Sequence, residues 1–140
     1  MARLTIDTGT AGNPATGDTL RTAMTKVNSN FDELYKPSGS TTISGGVLDV
    51  DFSKGLITVA HSSNITSVTF SNVTTDTKNE IVVVLTQDST GGRTITSSGY
   101  STAGGLGLDI STTANHVNII TFLTTDGTTV YGFSNGKNFG

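Results

Sequence analysis

Only one stretch of this chain carries a helical period, and any fold it adopts has to place that helix. Leu20, Met24, Val27, Phe31 and Leu34 recur at gaps of four, three, four and three residues. On a helix this spacing forms one apolar stripe, which Ala23 and Tyr35 widen. Asp18 stands where its carboxylate can accept from the exposed N–H groups of the first turn, so it is the predicted cap. Pro37 follows the last apolar pair and cannot continue a helix. The pattern predicts a helix over residues 19–35, a rod of about 25 Å. A helix of that length is marginal in water by itself. Its stripe therefore needs a partner, either the chain's own sheet or another protein.

Beyond Pro37 the period falls to two. Leu48, Val50 and Phe52 alternate with Asp49 and Asp51, as on a strand with one wet face. Strands are predicted over residues 47–52, 55–61, 65–70, 81–85, 93–96, 108–110, 115–124 and 129–133. Ile81, Val82, Val83, Val84 and Leu85 form a continuous apolar run, which suits a central strand covered on both sides. Residues 115–124 read the same way, with Val117, Ile119 and Leu123 on one face and Ile120 and Phe122 on the other. Asp126 and Gly127 then turn the chain into a hairpin. Short strands at turn-rich spacing predict a mainly β fold. The expected order is an arm, one α-helix, and an antiparallel β-sandwich or jelly roll of about eight strands. Residues 1–36 would hold the arm and helix, 37–41 a linker, and 42–140 the β-domain. Residues 8–17, with three glycines and Pro14, read as a loop that could lie on a neighbouring subunit or trail as a tail.

Composition narrows the function. Charged residues make up 14% of the chain, against a usual ~25%, and hydroxyl and amide side chains fill the gap. A net charge of −3 argues against a nucleic-acid partner, which would need clustered Lys and Arg. No apolar run approaches the ~20 residues of a membrane helix, and Met1, Ala2 and Arg3 lead into no apolar signal segment. The expectation is therefore no membrane partner and synthesis in the cytoplasm. Cysteine is absent, so disulfides and thiolate metal sites are excluded.

No residue pattern calls for catalysis. Asp49 and Asp51 lack a third ligand at calcium spacing. His61 and His116 have nothing in the sequence to bring them together on a metal. The paired glycines at 91–92 and 104–105 open no helix, so they cradle no phosphate. The expectation is a non-enzyme with no catalytic residue, metal or cofactor. The candidate interface is Leu20, Met24, Val27, Phe31, Leu34 and Tyr35. The glycine-rich residues 97–107, with Tyr100 and Leu106, are a candidate contact loop.

Gly17, Asp18, Thr19, Leu20 and Arg21, then Ala23, then Lys26, Val27 and Asn28, then Asn30 and Phe31, then Glu33, Leu34 and Tyr35 form a run. That run resembles a short module of tailed-bacteriophage virion proteins, found near the start of tail-fibre, baseplate and head-surface proteins. Residues 87–95 and 124–127 are similar to β-domains appended to phage fibre and head-surface proteins. The resemblance implies a virion structural protein on the particle's exterior, with no catalytic residue carried over. It implies a homotrimer, with the major capsid protein or tail proteins as further partners. A capsid-surface decoration or cement protein is the leading expectation. The alternative is a tail fibre or baseplate component whose β-domain binds a host-surface glycan, with Tyr100 and Tyr131 as the aromatic platforms.

Overall fold

Parallel pairing organises most of the β region, where turn spacing predicts antiparallel hairpins. The computed structural model describes residues 4–10, 14–75, 77–96 and 98–140. They divide into two compact units, residues 1–36 and 37–140. Among the described residues there are seven strands: β1 (Ser38–Thr41), β2 (Val47–Asp51), β3 (Leu56–His61), β4 (Ser67–Ser71), β5 (Asn79–Gln87), β6 (Val117–Thr124) and β7 (Tyr131–Phe139). One sheet has five strands in the order β1-β3-β5-β6-β7, and a second pairs β2 with β4.

The chain winds between these sheets. It leaves β1 for β2, returns to β3, crosses to β4 and returns to β5. Each return lays a strand parallel to the last one in its sheet: Ser38 opposite Leu56, Val47 opposite Ser67, Leu56 opposite Val82. A parallel pair needs a crossover of a dozen or more residues, and here a strand of the other sheet serves as the crossover. Only β5–β6 and β6–β7 are antiparallel. The expected antiparallel sandwich is thus corrected to a mixed arrangement. Two more expectations change. Residues 37–41, read as a linker, contain β1, because the Ser-Gly-Ser-Thr backbone pairs with β3 without apolar side chains. Residues 93–96 and 108–110 are not strands; Ile95 makes a single bridge to Ile65.

The two sheets share one core. Leu48 and Val50 of β2 and Val68 of β4 pack with Ile57, Val59, Ile81, Val83, Leu85, Ile120 and Phe122 of the larger sheet. Rings continue the contact: Phe52 to Phe70 at 5.7 Å, Phe70 to Phe122 at 5.2 Å and Phe122 to Tyr100 at 5.1 Å. Such edge and tilted pairs add to the burial itself. At the β6–β7 connection the Asp126 carboxylate accepts from the N–H groups of Thr128 and Thr129, each at 2.8 Å. Those two donors hold its pKa down at about 2.

The other unit is one helix with an arm. Helix α1 (Leu20–Leu34) ends at Tyr35, whose N–H donates to the Phe31 carbonyl. Residues 14–16 form a single 3-10 turn. The rest of the loop predicted at 8–17 includes residues 11–13, which lie outside the described residues.

Candidate functional site: assembly surfaces

The helix is capped one residue later than its sequence suggests. Thr19 is the cap, its Oγ1 accepting from Thr22 N at 3.3 Å. Asp18 is occupied elsewhere: its Oδ2 accepts from Asp7 N at 2.8 Å and from Lys26 Nζ at 2.6 Å. The Lys26 ammonium, then the Asp7 N–H, hold the Asp18 carboxyl below its ordinary pKa. Lys26 also donates to the Thr5 carbonyl at 3.0 Å. Asn30 brackets Leu4, accepting from its N–H at 2.9 Å and donating to its carbonyl at 3.0 Å. Residues 4–7 therefore lie along their own helix, tied by side chains four apart on one flank. That i, i+4 pair of polar residues was the available sequence signal for the arm's position.

These ties are polar and leave the apolar stripe outside. Leu20 is 79% exposed, Leu34 70% and Tyr35 71%. Met24 and Phe31 are exposed too, and Val27 is partly covered. Phe31 stacks on Tyr35 with ring centres 6.1 Å apart. Val27, Asn30, Phe31 and Leu34 line an open hollow of about 210 Å³.

The β unit holds its polar groups inside. His61 is fully buried, with Nδ1 3.1 Å from the Gln87 amide nitrogen and Nε2 3.2 Å from the Thr94 carbonyl. Those partners assign a neutral ring whose Nδ1 accepts and whose Nε2–H donates. Burial pushes its pKa below the ordinary histidine value, with nearby Arg93 acting in the same direction and Asp88 against it. The Gln87 amide nitrogen also lies within bonding distance of the Arg93 and Ser111 carbonyls, and its oxygen accepts from Arg93 N. Asn118 brackets Ser111, accepting from its N–H at 2.6 Å and donating to its carbonyl at 3.2 Å. Arg93 clamps Asp88 at 2.8 Å, which lowers the Asp88 pKa. Strands β3, β5 and β6 thus pin both ends of the long segment from 88 to 116. Sequence reasoning missed this lock, because its members are scattered and meet only through strand pairing.

The two candidate contact-loop residues separate. Tyr100 packs its ring edge-on against Phe122 and donates its hydroxyl to the Thr96 carbonyl at 3.2 Å. A Cβ at Gly132 would come within 2.8 Å of that ring, so glycine makes room for it. Leu106 is 91% exposed. Residue 97, the first of that loop, lies outside the described residues. His116 meets Asn138, not His61. Asp49 accepts from the Thr69 and Ser71 hydroxyls, and Asp51 from the Asn72 amide. Among the described residues no group of three His, Cys, Asp or Glu side chains could hold a metal ion.

A β unit with its own closed core, beside a helix whose apolar stripe is held outside, has the anatomy of a building block. Over residues 35–130 the chain matches the family described as "Putative phage tail fibre C-terminal domain", and it belongs to that family. It is a structural protein of the tailed-phage virion. The match spans most of the β unit and begins at Tyr35, the last residue of the helical module. No curated protein and no solved structure matches the chain.

Proposed function

We propose that this chain is a non-enzymatic tail-fibre component, a homotrimer on the virion exterior whose helices join the copies. The family match over residues 35–130 carries the fibre assignment. The exposed stripe of α1 supports the joining role, because a helix with that much apolar surface outside needs copies or neighbouring virion proteins to cover it. Three copies rather than two follow from the likeness to phage surface proteins. Tyr100, one of the two tyrosines open to a glycan-binding role, has its ring committed to Phe122. Host-glycan binding is accordingly left out of the reading.

Two measurements test it. Antibody against the β unit should label fibres on intact particles. Label spread over the head would replace this reading with capsid decoration. Light scattering at several concentrations should give three times the chain mass. Exchanging Val27 and Phe31 together for Asp should reduce that to one chain, since each charge would be buried without a partner. A single-chain mass at every concentration in the unaltered protein would remove the free trimer.

A further inference from the structure

The five-stranded sheet has a second apolar face, and the chain's own core does not use it. Along a strand, side chains alternate between faces. The inward set of β5 and β6 (Ile81, Val83, Leu85, Ile120, Phe122) is buried. The outward set is also apolar: Val82 and Val84 on β5, Ile119 and Leu123 on β6, and Tyr131 and Phe133 on β7. All six retain exposure, with Tyr131 at 44% and Phe133 at 46%. Register makes them one patch. Val84 lies opposite Ile119, Val82 opposite Thr121, Thr121 opposite Phe133, and Leu123 opposite Tyr131. Leu56 of β3 continues the row beside Val82.

A strand apolar on both faces is the pattern of a sheet covered on both sides. One cover is present, the β2–β4 sheet. We infer that the other cover is a second copy of this chain, laid against the outward face of β5, β6 and β7. The inference rests on the self-association proposed above and assigns it a second surface, apart from the helix.

Charge selects a copy over a different partner. Strands β3, β5, β6 and β7 carry only Glu80 and Lys137 as ionised side chains, His61 being buried and neutral. Glu80 is already paired with Lys78, and Lys137 with Asp109. Copies related by symmetry bring a patch against itself. A charged patch would then meet its own sign, and this one has no charge at its centre. A partner chosen by charge would find nothing to complement. Size agrees. Five strands at about 4.8 Å spacing and roughly 25 Å of strand length give a face on the order of 600 Å² in projection. A stable interface covers about 800 Å² of accessible surface per partner, and the pleated face exposes more than its projection.

The absence of cysteine makes the test direct. In the full-length chain, Thr121→Cys marks the centre of the patch, Thr69→Cys the outer face of the β2–β4 sheet, and Leu20→Cys the helix stripe. Each variant is treated with a short bis-maleimide and the products are resolved by mass. The inference expects many-fold more cross-linked product from Thr121→Cys than from Thr69→Cys. It also expects Ile119→Lys, with an unchanged melting curve, to lower the mass read by light scattering. If Leu20→Cys cross-links and Thr121→Cys does no better than Thr69→Cys, the helix reading stands and this inference falls. If none cross-links, both fall. An Ile119→Lys protein with unaltered fold and unaltered mass also overturns the sheet contact.

Discussion

The two units handle apolar surface in opposite ways. In residues 37–140 the large side chains are inside and the buried polar groups are matched within the chain. In residues 1–36 the matched polar groups, Asp18, Lys26 and Asn30, fasten the arm to the helix, while the leucines and aromatics face outward. The β unit has within itself what a fold requires. The helix unit has local capping and hydrogen bonds, each adding only about 1 kcal/mol net. Burial of apolar area is the dominant stabilising term, so the helix unit draws its main stabilisation from whatever covers its stripe.

Substitutions should fall unequally on the two units. Phe122→Ala removes a buried ring that touches both Phe70 and Tyr100. It should cost about 3–5 kcal/mol, seen in chemical denaturation as loss of the β transition. A cost below about 1 kcal/mol, the size of a single net hydrogen bond, would mean the shared core is not what holds the unit. Gln87→Ala leaves His61 Nδ1, Arg93 N and the Ser111 carbonyl short of a partner. It should cost about 1–3 kcal/mol and raise amide exchange between residues 88 and 116 more than elsewhere. Uniform exchange across the unit would show that the polar network does not pin that segment.

Acid should sharpen the contrast. His61 has a folded pKa below 6.5. The unfolded chain therefore takes up the proton first, and stability is full above about pH 6.5 and falls as pH drops toward the folded value. Asp126, lowered from 3.8 to about 2, keeps its contribution above pH 3.8 and loses it as pH falls through about 2. Melting of the β unit followed from pH 7 to pH 2 should show both declines. His61→Gln should flatten the first and leave the second. The smallest effect belongs to the helix end. Thr19→Ala should cost about 1 kcal/mol of helix stability, visible as lost helical signal in far-UV circular dichroism, with the β transition unmoved.

Parts of this were legible in the residues. The stripe from Leu20 to Leu34 marked the helix to within a residue at either end, because a period of three and four is a local property. Val47–Asp51, Leu56–His61 and Val117–Thr124 were legible from alternation. Strand β1 was not, since Ser38, Gly39, Ser40 and Thr41 carry no apolar signal. Asp18 looked like the cap, but its carboxylate is taken by Asp7 and Lys26, contacts that spacing cannot foresee. Tyr100 looked like a contact residue, yet the bare backbone of Gly132 lets it settle on Phe122.

The sequence by itself determined the local periods: where the helix runs, where most strands run, and which side chains form the inner row. Those depend on neighbours two to four residues apart. Tertiary structure alone decided that β1, β3 and β5 run parallel, that His61 meets Gln87 and Thr94, and that one apolar face of β5 and β6 is enclosed while the other is not. Pairing direction is set by which sheet the chain enters after each turn. Either choice satisfies the same local alternation, and only the long-range packing of the two sheets on one core distinguishes them.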